Sequence, residues 1–363
     1  MMAVLGVALA LGALALRPGV AIAAGSADGP APRVAQGGSA VGGSAEGVLA
    51  LRAEELPRAP AGAWSGWGEE SGLPDELREG YLEALAAWRA GDLPAVLVAT
   101  WPLLEASPDH PALLHLAGHA QFRLRRYGEC AHLLERFLAH VPEQVSRTRH
   151  LGHAWNELGQ VERARAHYDR VLVAAAADHE ARRGRALALW RLGRVEEALA
   201  DLAVVVAARP RHAEAWLLRA RILVDEEEAE AALGALERHR ALDPFEPEAA
   251  FLRARALQDL GRADEAAAAR DEFDALEAVA AAARPLEGHL LLRPHDLLLH
   301  RALAEVRLGA GQVPLARAAL VSLAREARLG VGAGLEAGLA RAQLAWAQEQ
   351  LARLGEDAER SAR

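Results

Sequence analysis

The chain repeats itself at an interval of 34 residues, and this repeat restricts its fold more than any other feature of the sequence. Leu158–Ala164 reads LGQVERA, and 34 residues later Leu192–Ala198 reads LGRVEEA. The register extends to both sides, so that six units share one turn position. These positions are Gly91, Arg125, Gly159, Gly193, Glu227 and Gly261. A fixed period of this length is typical of helical repeat arrays in which each unit is one helix–turn–helix.

Small residues at two positions of nearly every unit indicate how the two helices of a unit pack. One column lies seven residues before the turn, and the other lies five residues after it. The first is Ala84, Gly118, Gly152, Ala186, Ala220 and Ala254; the second is Val96, Cys130, Ala164, Ala198, Ala232 and Ala266. Antiparallel helices approach closely only where their crossing point lacks bulky side chains. Both columns are therefore predicted to be buried, with Cys130 as an inert packing residue.

These columns, with Pro108, Pro142, Pro210 and Pro244 at the ends of second helices, resemble the tetratricopeptide repeat. The resemblance covers roughly residues 77–329. It implies an all-α, right-handed superhelical α-solenoid of about seven helix-turn-helix repeats, which we assign to residues 73–329. It also implies a non-enzymatic scaffold or assembly factor whose partner is a protein or peptide ligand.

After the sixth unit the register slips. The next recognisable turn is Gly311, which lies 50 residues after Gly261, or one period plus an insertion of 16. We place the insertion near residues 279–294. A proline inside a helix usually interrupts it, because it removes a backbone hydrogen bond. We therefore expect the second helix of unit six to run to about Ala283 and to stop at Arg284-Pro285.

Residues 330–363 are predicted to form a loop, a capping helix and a charged tail. The loop is the glycine-rich run Gly330–Gly334, and the helix is Leu335–Leu354. Without such a helix the last repeat would expose an apolar face, so we expect it to cap the stack.

Residues 1–24 read as a signal peptide or a membrane anchor, and residues 25–72 as a flexible linker rich in Gly, Ala and Ser with a short helix. The apolar run Ala3–Leu16 is followed by small residues that resemble a cleavage site, which favours export to the periplasm or cell envelope. The alternative is an uncleaved anchor with the repeats in the cytoplasm, which Arg17 and Arg33 favour because positive charge stays inside. Trp64 and Trp67 are expected to cover the first repeat.

In the family, one side of the first helix of each unit lines a concave surface that binds peptides. The resemblance places twelve residues there, which we call the predicted groove: Tyr81, Trp88, His115, His119, Phe122, Arg149, His153, Arg183, Trp190, Arg221, Phe251 and Arg255. Four are arginines and three are histidines, so we expect attraction to acidic or C-terminal segments. Acidic residues that flank this line will offset part of its charge: Glu157, Glu180, Glu214, Asp225, Glu248 and Asp259. The alternatives are solvated helix faces for the arginines and core packing for the rings.

Other function classes find little support. The formal net charge of −9 argues against nucleic acid as a partner, since phosphate binding needs a basic excess. Catalytic motifs are absent from the sequence, so we predict no enzyme and no cofactor. A histidine cluster on the groove face, His115, His119, His150 and His153, leaves a metal-binding or enzymatic protein as the alternative. Membrane contact is expected only through the N-terminal segment.

Overall fold

A computed structural model of the chain describes residues 73–331 and 337–361, and these ranges contain fifteen α-helices and no β-strand. In chain order the helices are α1 (Asp75–Ala90), α2 (Leu93–Ala106), α3 (Pro111–Arg123), α4 (Tyr127–His140), α5 (Val145–Glu157), α6 (Val161–Ala174), α7 (His179–Arg191), α8 (Val195–Ala208), α9 (Ala213–Asp225), α10 (Ala229–Arg240), α11 (Pro247–Asp259), α12 (Ala263–Leu292), α13 (Leu297–Gly309), α14 (Val313–Val331) and α15 (Ala337–Ser361). The expectations for residues 1–72 lie outside the described residues and stay predictions.

Successive helices pack against each other along the whole described array, first within a unit and then from one unit to the next. The all-α solenoid is therefore confirmed. The last helix, α15, packs against α14 and also contacts α13, as a capping helix should. In addition, α12 reaches back to α2 of the first unit. None of the described helices combines the length and the apolar character needed to cross a membrane.

Every predicted turn position adopts the left-handed backbone conformation that ends a helix. The five glycines have φ between 67° and 79°, and they include Gly311 after the insertion. Arg125 and Glu227 adopt φ of 58° and 61° although a Cβ atom disfavours this region. The register read from the sequence is thus confirmed in all seven units.

The two columns of small residues lie in the core. Every member is buried, and Cys130, Ala164 and Ala198 have no exposed surface. Burial raises the pKa of the Cys130 thiol to about 12, so it stays protonated as an inert packing residue.

The predicted break at Arg284-Pro285 is wrong, because α12 continues through Pro285 to Leu292. Pro285 lies on the exposed side of the helix, where the carbonyl left without its backbone donor can bond water. On the opposite side Ala283 and Leu286 are buried in a cluster with residues of α13. Packing on one face therefore holds the helix together across a proline on the other.

The C-terminal bounds also differ from the sequence-based ones. Helix α14 includes Gly330 and Val331, which had been placed in the loop, and α15 extends past Leu354 to Ser361. The remainder of the predicted loop, residues 332–336, lies outside the described ranges.

Candidate functional site

Odd-numbered helices of neighbouring units lie side by side from α5 to α11. Helix α5 contacts α7, α7 contacts α9, and α9 contacts α11. The predicted groove residues all belong to odd-numbered helices, from Tyr81 on α1 to Arg255 on α11.

Aromatic and imidazole rings of the first three units form a chain of contacts that we call the ring ladder. Its members are Trp88, His119, His150, Phe122, His153 and Tyr127. The centroid distances are 4.7 Å from Trp88 to His119, 5.1 Å from His119 to His150, 4.4 Å from His150 to Phe122, 5.3 Å from Phe122 to His153 and 5.6 Å from His153 to Tyr127. The ladder crosses from α1 over α3 to α5, so it bridges three units.

The ring-ladder residues and the groove residues beside them differ in their exposure to solvent. Trp88, His115 and Tyr81 are buried and support the surface from below. The other ladder members are half-buried, each enclosed by protein on several sides while keeping some contact with water. His115 lies beside the ladder, with its ring 6.3 Å from that of His119 and 5.4 Å from that of Phe137.

The histidines of this region are uncharged at neutral pH. Burial lowers the pKa of His115, His119 and His150 well below 6.5, and the positive charge of Arg147 lowers it further. Burial also lowers the pKa of His153 to about 4. Their rings therefore contribute stacking surface and single hydrogen bonds, and no positive charge.

Two arginines adjoin the ladder without a carboxylate partner within residues 73–331 and 337–361. Arg147 reaches His150, with 3.0 Å between Nη1 and Nδ1, and the Arg123 guanidinium carbon lies 5.9 Å from the centre of the Trp88 ring. In this part of the chain the Nε atom of each is buried and lacks a hydrogen-bond partner. Burial lowers the pKa of Arg147 to about 10, so it remains a cation.

The four arginines of the predicted groove are paired with the chain's own carboxylates. The pairs are Arg149 with Asp178 at 2.9 Å, Arg183 with Glu180 and Glu214 at 3.4 Å each, Arg221 with Glu248, and Arg255 with Asp225 at 2.9 Å. Most of these pairs join one unit to the next, because the acidic residue lies 27 to 31 positions after the arginine or before it. The charge of these units is consequently close to balanced.

The remaining groove residues, Trp190 and Phe251, lie farther along the surface. The Arg221 guanidinium lies 5.9 Å from the centre of the Trp190 ring. Phe251 is 51% exposed and contacts Phe273 with 5.6 Å between ring centres.

The histidines of the cluster form tilted, stacked and edge-on ring contacts, and in the described part of the chain they do not converge on one point. Within the described ranges, three potential metal ligands converge at Glu180, His212 and Glu214, whose ligand atoms lie within 4.8 Å of one another. Arg183 bridges both carboxylates, and His212 Nε2 lies 2.9 Å from Glu180. A metal ion would have to displace Arg183, which already contacts both carboxylates.

Sequence reasoning missed Arg147, Arg123 and Tyr127. It selected residues by their position in the family's repeat, and Arg147 lies two residues before the groove position held by Arg149. The available signal was the position of Arg147 one turn before the histidine pair His150 and His153.

Comparison with known proteins finds a matching family and similar solved structures. The family model described as Tetratricopeptide repeat matches residues 115–181, 157–212 and 183–247. No curated protein matches the chain. Similar solved structures include the MamA RS-1 ArsTM double mutant, with 23% identity, a TM-score of 0.42 and coverage of 46% of this chain and 94% of that one. Another is YrrB, described as a TPR protein with an unusual peptide-binding site, with 22% identity, a TM-score of 0.42 and coverage of 50% and 91%.

Proposed function

This chain belongs to the tetratricopeptide-repeat family, and we propose that it is a non-enzymatic scaffold that binds a protein or peptide segment along its odd-numbered helices. The observation that carries the proposal is the shared surface of these helices, on which half-buried rings and charged side chains continue from α3 to α11. Such a surface can bind a peptide segment that contacts several units one after another, because each unit contributes a similar set of side chains.

Within this function, the scaffold prefers acidic or C-terminal segments. The paired arginines contribute to this preference through hydrogen bonds more than through net charge. A guanidinium group has five N–H donors, and a single carboxylate uses one or two of them. Arg149, for example, keeps donors for a second carboxylate while its Nη1 remains bound to Asp178.

The test compares the partners of the full-length chain with those of two variants. Phe122→Ser combined with Phe251→Ser removes two rings from the odd-helix surface. Val173→Ser changes a residue on α6 that is 89% exposed and lies away from that surface. We expect the double variant to lose partners that both the unchanged chain and the Val173 variant retain. Identical partners for all three proteins would reject binding along the odd-numbered helices.

A further inference from the structure

We propose that the ring ladder, with Arg123 and Arg147, is an anchoring site for an acidic residue of the bound segment, next to an aromatic or large apolar residue. This inference rests on the proposed function, and it names the point where the ligand is held and the chemistry that holds it there. The occupant to which it commits is an acidic peptide segment of a partner protein.

The first support is the sign of the charge around the ladder. Besides burial, the permanent charges that lower the pKa of His119 are those of Arg147 and Arg123. At the other end of the ladder Glu180 acts on His153 and Glu157 acts on Tyr127, so the positive charge lies around Trp88, His119 and His150. Half-enclosed positive charge of this kind attracts an anion more strongly than the same charge on an open surface, because water screens it less.

The second support is the contrast with the units that follow. From α5 to α11 each predicted groove arginine already meets an Asp or Glu of the chain, as Arg221 meets Glu248. Arg123 and Arg147 meet none among the residues that the structure describes. Of the predicted groove and ladder arginines that the structure describes, these two lack a carboxylate partner, so an acidic ligand residue gains most by binding beside them.

The third support is the arrangement of the two arginines around one ring. Arg123 lies over Trp88, whose ring is 4.7 Å from His119, and Arg147 contacts His150, whose ring is 5.1 Å from His119. Both arginines keep part of their surface in contact with solvent, so a carboxylate can approach them. Such a carboxylate would form charge-assisted hydrogen bonds with the two arginines and would neutralise their charge.

The rings of the ladder bind the aromatic or large apolar residue of the ligand. Phe122 and His150 stack with an interplanar angle of 22°, and both remain half-buried. A ligand ring or branched apolar side chain that covers them gains burial without displacing a charged group. An acidic residue beside an aromatic or large apolar one thus matches both features.

The experiment uses the full-length chain and synthetic 12-residue peptides in matched pairs. One member of each pair has Glu next to a Phe, and the other has Gln at the same position. The two peptides therefore have nearly the same shape and differ in charge. Affinities are measured by fluorescence polarisation. We expect the Glu member to bind at least about tenfold more tightly, as a charge-assisted hydrogen bond predicts. The preference should fall to about twofold or less in Arg147→Gln and in Arg123→Gln, and Arg147→Lys should restore part of it.

Arg165→Gln is the matched control, because it removes one charge at a paired arginine on α6, outside the predicted groove. It should leave the preference for Glu within about twofold of that of the unchanged chain. Equal binding of Glu and Gln peptides would overturn the anchoring site and leave the scaffold function intact. A preference that survives in both Arg147→Gln and Arg123→Gln would place acid recognition elsewhere and also overturn it. If the chain binds no peptide of the set, the proposed function fails together with this inference.

Discussion

The ring of Tyr168 occupies the space into which a side chain at Gly184 would project. A Cβ atom at Gly184 would lie 2.3 Å from Cζ and 2.5 Å from the hydroxyl oxygen of Tyr168. Tyr168 belongs to α6 of one unit and Gly184 to α7 of the next, so their contact joins two units. Asn156 strengthens the same junction, because its Nδ2 donates to the carbonyl of Gly184 at 3.0 Å.

Gly184→Ala should therefore destabilise the array. Tyr168 is 1% exposed and has no room to move, so the new methyl group forces the two units apart. We expect a loss of about 1–3 kcal/mol in the free energy of unfolding, measured by urea denaturation. Gly234→Ala on α10 is the control, since a Cβ atom there meets nothing within 4 Å. It should gain about 1 kcal/mol from helix propensity. A Gly184→Ala protein as stable as the Gly234→Ala protein would contradict this account of the junction.

Glu227→Gly should stabilise the fifth unit. Glu227 has φ of 61°, which a side chain disfavours and glycine adopts freely, and its side chain is exposed. We expect a gain of about 1 kcal/mol in the free energy of unfolding. Glu226→Gly, one residue earlier at φ of −88°, should bring no gain, because that conformation suits any residue. Equal effects of both substitutions would show that the backbone conformation is not the cause.

The turns and the buried columns could be predicted because each depends on a few neighbouring residues. A left-handed residue at Glu227 follows from its place in the 34-residue register, whatever lies across the unit. The course of α12 could not be read in this way. Whether Pro285 ends a helix depends on the face that α13 covers, which is decided by residues of another helix.

The charge of the candidate site could not be predicted from the sequence, for the same reason. Arg149 and Arg147 are two residues apart, yet one meets Asp178 and the other meets no carboxylate of the described chain. Asp178 lies 29 positions after Arg149, and the contact exists only once two units have packed. The prediction of the groove from the repeat register names only positions on helices, whereas the pairing of each arginine required the structure.

Arg147→Met should stabilise the protein and raise the pKa of His150. A cation held among rings without a counter-charge is unfavourable, and methionine fills similar space without that penalty. We expect a gain of about 1 kcal/mol in the free energy of unfolding, and a higher pKa for His150 in an NMR titration. Arg183→Met is the control, because it leaves the half-exposed Glu180 and Glu214 without their shared cation and should cost up to about 1 kcal/mol. Losses of similar size in both variants would indicate that Arg147 has a structural partner after all.

The histidines of the ladder give the array a characteristic response to acid. In the unfolded chain each imidazole takes up a proton near pH 6.5, whereas in the folded chain the pKa of His153 is about 4 and those of His119 and His150 are also well below 6.5. Between these values the unfolded state binds more protons, so stability falls as the pH is lowered. Glu246, whose pKa burial raises to about 7, acts in the opposite direction over part of this range, but it is a single group.

Stability should accordingly be greatest above about pH 7.5 and decline from pH 6.5 towards pH 4. Each imidazole contributes at most roughly 1.4 kcal/mol per pH unit to the slope. His150→Phe keeps a ring beside Phe122 and removes one titrating group, so the slope of the free energy of unfolding between pH 6.5 and 5 should be shallower. Val173→Phe is the control, since it adds a ring at an exposed position without an ionisable group and should leave the slope unchanged. If the unchanged chain held its full stability down to pH 5, the ladder histidines would have to be protonated in the fold, and the charge assigned to this surface would be wrong.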